Sequence, residues 1–79
     1  MSYKDKIAII KAIVNKKVSV DIIDNNNKVI AADCYIYSMN TNSCVVTMEF
    51  INDYVVHKNW DGRFRTIKYD NISNIKVNS

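Results

Sequence analysis

Apolar positions at the start of the chain recur at spacings of three and four. Tyr3, Ile7, Ile10 and Val14 form one stripe, Ile9 and Ile13 widen it, and Lys4, Lys6 and Lys11 fall largely off it. Such spacing places side chains on one helical face, and it predicts an amphipathic helix over residues 3–15. Ser2 is placed to cap that helix, Asp5 suits its positive end, and Lys16 and Lys17 suit its negative end. From Val18 the period changes to two: Val18, Val20 and Ile22 alternate with Ser19 and Asp21, the pattern of a half-buried strand. Residues 24–27, Asp-Asn-Asn-Asn, read as a turn, because Asn and Asp tolerate positive φ. Residues 28–38 read as a long second strand, with Ile30, Ala32, Cys34 and Ile36 expected on one face. A turn over 39–43 leads to a third strand over 44–51, a bend at Asn52-Asp53 and an extended stretch over 54–60. Asp61-Gly62 holds the chain's single glycine and reads as a hairpin tip. Residues 63–69 form the returning strand, 70–73 a tight connection suited to one 3-10 turn, and Ile75 and Val77 a last short strand.

One helix followed by five or six short antiparallel strands makes a mainly β fold, expected as a single domain over residues 1–79. A meander of this length tends to curl and close, since closure removes strand edges that would otherwise aggregate. The expected architecture is therefore a small SH3-like antiparallel barrel with the helix across one open end or one face. Composition supports strands: twelve Ile, nine Val and three Thr are present, and there is no Leu. No apolar run reaches the ~20 residues of a membrane-spanning helix, and the first 17 residues are too polar for a secretory signal. A cytoplasmic protein with no membrane association is expected. In that setting Cys34 and Cys44 are expected to be reduced, buried and unreactive.

Charge is unevenly spread. Residues 1–17 carry a net +4, residues 18–56 a net −4, and residues 57–79 a net +3. Basic ends around an acidic middle suit phosphate-bearing ligands. Catalytic chemistry finds little footing. His57 is the single histidine, the carboxylates are scattered, and one glycine excludes a glycine-rich phosphate loop. Two Cys and one His without a CxxC pair make a zinc site unexpected. A non-enzyme without cofactor or metal is expected. The segment around Asp61-Gly62 combines Trp60 with Arg63, Arg65 and Lys68, an aromatic that stacks on a base beside cations that grip phosphate. The same residue types, Trp60 and Arg63 above all, are also typical anchors for a protein partner.

The run Ile67-Lys68-Tyr69-Asp70-Asn71-Ile72-Ser73-Asn74-Ile75 resembles the second motif of the Sm-like (Hfq-like) small β-barrel family, in which an apolar-basic-Gly-Asn/Asp-x-Ile/Val sequence is followed by an apolar residue three positions on. Ile67, Lys68, Asp70, Ile72 and Ile75 fit, and Tyr69 stands at the glycine. Met39-Asn40 is similar to the end of the family's first motif, although Ile36 stands where that motif has Asp and Ser38 where it has a stacking aromatic. Residues 65–72 are more weakly similar to WYL-type Sm-like ligand-sensing modules. The resemblance implies an Sm-like barrel whose loop after the second strand and loop before the last strand line a nucleotide pocket. By position it implicates Asn40, Lys68 and Asp70. Arg63 and Arg65 share a face by alternation and Lys68 lies on the opposite one, so the two Arg suit an outer track for a longer nucleic acid, with Trp60 stacking.

The reading that follows is a non-enzymatic module binding RNA or a nucleotide-like phosphate ligand, as a homo-oligomer joined through strand edges. The alternative is a small protein-interaction or inhibitor module acting on a host protein, of phage or mobile-element origin.

Overall fold

The computed structural model describes residues 1–48, 50–51, 54–55 and 64–78. Its elements are helix α1 (Tyr3–Ile13), strands β1 (Val20–Asp24), β2 (Val29–Met39), β3 (Ser43–Thr47), β4 (Phe50–Ile51), β5 (Tyr54–Val55) and β6 (Phe64–Lys68), a 3-10 turn (Tyr69–Asn71), and β7 (Ile72–Val77). The fold is mainly β, with five antiparallel strands in one sheet and a single N-terminal helix. The expected hairpin tip at Asp61-Gly62 lies outside the described residues.

Helix α1 starts as its sequence predicts. The Ser2 hydroxyl accepts from the Asp5 amide at 3.1 Å, so one of the unpaired first-turn donors is satisfied. It ends at Ile13, two residues earlier than the apolar stripe suggests. Asn15 takes a left-handed conformation (φ 57°) and gives its amide to the Ile36 carbonyl at 2.7 Å, which joins the helix end to β2 instead of extending the helix. The buried face also differs from the expected stripe. Lys6 and Ile10 are its buried residues, while Tyr3 stays exposed.

The strand order is β6-β3-β2-β1-β7. β6 and β7 therefore stand at opposite edges, four strand spacings apart, or about 19 Å in a flat sheet. Yet only the three residues of the 3-10 turn connect them, and four Cα steps span at most about 14 Å. The sheet must curl until its two edges approach, which gives the expected barrel-like form. The core sits inside the curl: Val20, Ile22, Cys34, Ile36, Cys44, Val46, Ile67, Tyr69, Ile72 and Ile75 are buried, and Ile10 of α1 closes it.

The curl is produced by irregularities in β2 and β7. Val20 faces Cys34 while Ile22 faces Ala31, so β2 carries one extra residue across that interval. Asp33 supplies the bend with a φ of 50°, and its amide donates to Asp21 Oδ1 at 2.9 Å. A further extra residue falls at Tyr37, between the pairs Ile36↔Val46 and Ser38↔Val45. β2 thus pairs with β1 through its first half and with β3 through its second. Each bulge flips which side chains face inward. Ala31, Cys34 and Ile36 are buried, whereas Ala32 is exposed and Ile30 only half-buried, so the even alternation expected for this strand does not hold. In β7 the extra residue is Ser73, between Ile23↔Asn74 and Asp24↔Ile72, and its hydroxyl donates to the Asp24 carbonyl at 2.7 Å.

The third strand is shorter than its apolar run. β3 ends at Thr47, and Phe50–Ile51 pairs antiparallel with Tyr54–Val55 in a separate two-stranded sheet. The bend expected at Asn52-Asp53 lies outside the described residues.

Candidate functional site

Two loops adjoin at one end of the sheet. The β3–β6 ladder begins with Ser43 opposite Lys68, so the loop before β3 (residues 40–42) and the 3-10 turn after β6 lie side by side. Loop 40–42 is closed by the Asn40 amide donating to the Ser43 carbonyl at 2.7 Å. Its three carbonyls are all taken: the Tyr69 hydroxyl donates to Asn40 at 2.7 Å, the Tyr3 hydroxyl to Thr41 at 3.4 Å, and the Tyr69 amide to Asn42 at 3.0 Å. The side chains of Asn40, Thr41, Asn42, Lys68, Asp70 and Asn71 are left exposed. The turn at 24–27 completes this end of the molecule, because Asn25 Nδ2 donates to the Asp70 carbonyl at 2.8 Å.

Of the six residues singled out from sequence, Asn40, Lys68 and Asp70 share this end. Lys68 offers an ammonium to phosphate, Asn40 both donates and accepts, and the Asp70 carboxylate only accepts. Arg65 lies elsewhere. β6 pairs with β3 without a register slip from Phe64 to Lys68, and Arg65 faces Val46 while Ile67 faces Cys44 on the core side. A regular strand keeps Arg65 and Lys68 on opposite faces. Arg65 is exposed, and its Nη1 donates to the Ile30 carbonyl. There it borders a cleft of about 210 Å³ lined by Ile30, Ala31, Ala32, Val46, Thr47 and Met48, where β2 and β3 diverge. Trp60 and Arg63 lie outside the described residues.

Sequence periodicity missed the residues that hold the loop end together. Lys6 is 8% exposed, and its Nζ donates to the carbonyls of Tyr69 at 2.6 Å and Ile72 at 2.7 Å. Its four-residue spacing to Ile10 is the sequence signal that places it on the buried face. Tyr69 is buried, makes an edge contact with the Tyr3 ring at 6.1 Å, and reaches loop 40–42 from the 3-10 turn. Burial raises its phenol pKa above the usual value.

Other features carry less chemistry. A concavity of about 720 Å³ opens between α1 and β7, and Asp5 is the one charged side chain among its lining residues. Cys34 and Cys44 are free and buried, and burial pushes each thiol up to about 11, so neither is a nucleophile at neutral pH. Among the described residues no three metal-ligating carboxylates, thiols or imidazoles converge. No helix among them is long and apolar enough to cross a membrane. Comparison with protein-family models, with curated proteins and with solved structures finds no match for the chain.

Proposed function

We propose that this chain is a non-enzymatic, cytoplasmic Sm-like module that binds RNA or a nucleotide-like phosphate ligand and assembles as a homo-oligomer. One observation carries the reading: in a sheet ordered β6-β3-β2-β1-β7, the loop after the second long strand and the turn before the last strand adjoin, with Asn40, Lys68 and Asp70 exposed there. These are the two loops, and the three positions, that the resemblance to the Sm-like family implicates. In this reading Lys68 meets the phosphate, while Asn40 and Asp70 address hydrogen-bond donors of the base or the ribose hydroxyl. Arg65, tied to Ile30 on the other face, is no part of the nucleotide pocket. With Arg63 it serves a longer strand, and Trp60 stacks. β6 and β7 supply the edges for assembly, since among the described residues neither has a second strand neighbour.

Titration with uridine monophosphate and with a labelled oligouridine at low salt tests the reading. Lys68→Ala should weaken both, by roughly 1–3 kcal/mol for a lost charged contact. Arg65→Ala should weaken only the oligonucleotide and lower the salt slope by about one. Binding of neither ligand by the wild-type protein would overturn the reading and favour a protein partner instead.

A further inference from the structure

We infer that Lys6 is a positioning residue for the loop site: its buried ammonium fixes the 3-10 turn and loop 40–42 in one arrangement, and so sets Asn40, Lys68 and Asp70 relative to one another. The inference rests on the loop reading above and adds the part that controls it.

A cation is an uneconomical way to fill a helix face that packs on a core, since a Met or Ile would occupy the space without losing hydration. Lys6 is nonetheless buried, and both hydrogen bonds of its Nζ go to carbonyls of the turn and its exit, Tyr69 and Ile72. The Tyr69 carbonyl also accepts from the Ile72 amide, so both of its lone pairs are engaged. Tyr69 is then held at three points: its carbonyl by Lys6, its amide by Asn42 and its hydroxyl by Asn40. Each bond fixes a different side of the residue, and two of them reach loop 40–42. From the helix, Tyr3 adds an edge contact to the Tyr69 ring and a bond to the Thr41 carbonyl. A continuous line of contacts therefore runs from α1 through Lys6 and Tyr69 to the loop. Removing the ammonium leaves the Ile72 carbonyl without its one side-chain donor and frees Tyr69 on one of three sides.

The far end of α1 provides an internal control. The Asn15 amide donates to Ile36, at the opposite end of the helix from Lys6, and reports docking of the helix as a whole. Amide hydrogen exchange by NMR, together with uridine monophosphate titration over a range of salt, tests the inference on wild-type protein, Lys6→Met and Tyr69→Phe. Lys6→Met should speed exchange of the Tyr69 amide roughly tenfold relative to the Asn15 amide. Its nucleotide affinity should fall about tenfold with the salt slope unchanged, because Lys6 orders the site without touching the ligand. Tyr69→Phe keeps the ring and removes only the bond to Asn40, so it serves if Lys6→Met fails to fold. It should lower affinity about threefold with Asn15 protection intact. Equal loss of protection at Tyr69 and Asn15 would make Lys6 a general helix anchor and overturn the inference. So would a flattened salt slope, which marks a direct ligand contact, or wild-type exchange and affinity in Lys6→Met. A wild-type protein that binds no nucleotide while Lys6→Met still releases Tyr69 selectively would sink the functional reading alone.

Discussion

Asp21 ties three parts of the chain together. Its carboxylate accepts from the Asp33 amide at the β2 bulge and from Asn78 Nδ2 at the C-terminal end, both at 2.9 Å. These bonds, the Asp33 amide first, and then the charge of Lys76 hold its pKa below the ordinary 3.8, against the opposing effect of burial. A carboxylate depressed by folding contributes stability above its unfolded pKa, and that contribution is lost as pH falls through the folded value. Thermal melts from pH 5 downward should therefore show a smaller acid-induced loss for Asp21→Asn than for wild type, once each is referred to its own stability at pH 5. Parallel curves would remove Asp21 from the acid response. The thiols give a second check at this scale. With both raised to about 11 by burial, Cys34 and Cys44 should resist iodoacetamide in the folded protein at pH 8 and react promptly in denaturant. Fast labelling of the folded chain would place a thiol at the surface.

The bulged strand β2 is the element on which the curl depends. Asp33 sits at a φ of 50°, a conformation that glycine adopts freely and a β-branched residue resists. Asp33→Gly should leave stability within about 1 kcal/mol of wild type, whereas Asp33→Val should cost roughly 1–3 kcal/mol. Chemical denaturation of the two variants checks this, and equal stabilities would mean that the bulge is not held by Asp33. This strand also marks where sequence reading reaches its limit. Its existence and length were legible from β-branched density and flanking turn residues, but not its inward face, because an inserted residue shifts parity without altering composition. Lys6 was missed for a related reason. A charge pattern reports what water prefers, and Lys6 is buried by two carbonyls that become its partners only when the chain folds. The adjacency of the two loops was legible in part, since Asn40, Lys68 and Asp70 each adjoin a turn signal and the pairing of Ser43 with Lys68 brings those turns side by side. Arg65 was legible in its parity but not in its bond to Ile30, which forms only where β2 swings away from β3.

At the scale of the whole molecule, the three-residue turn between β6 and β7 forces curvature and leaves these two strands as the sheet's terminal members. Neither contains proline, so neither carries the simplest block to pairing with another chain. Because β6 and β7 are different surfaces, β6 of one copy pairing with β7 of the next makes a head-to-tail contact, which closes into a ring when the rotation permits. The Lys68 turn lies between these two strands, so such a ring repeats the loop site once per subunit. Sedimentation velocity of the protein at about 100 μM, with a trace of labelled oligouridine at low salt, tests this account most directly. The RNA should travel with a particle that contains two or more 9.1 kDa chains, whereas a 9.1 kDa monomer with the RNA left behind would contradict both the assembly and the site.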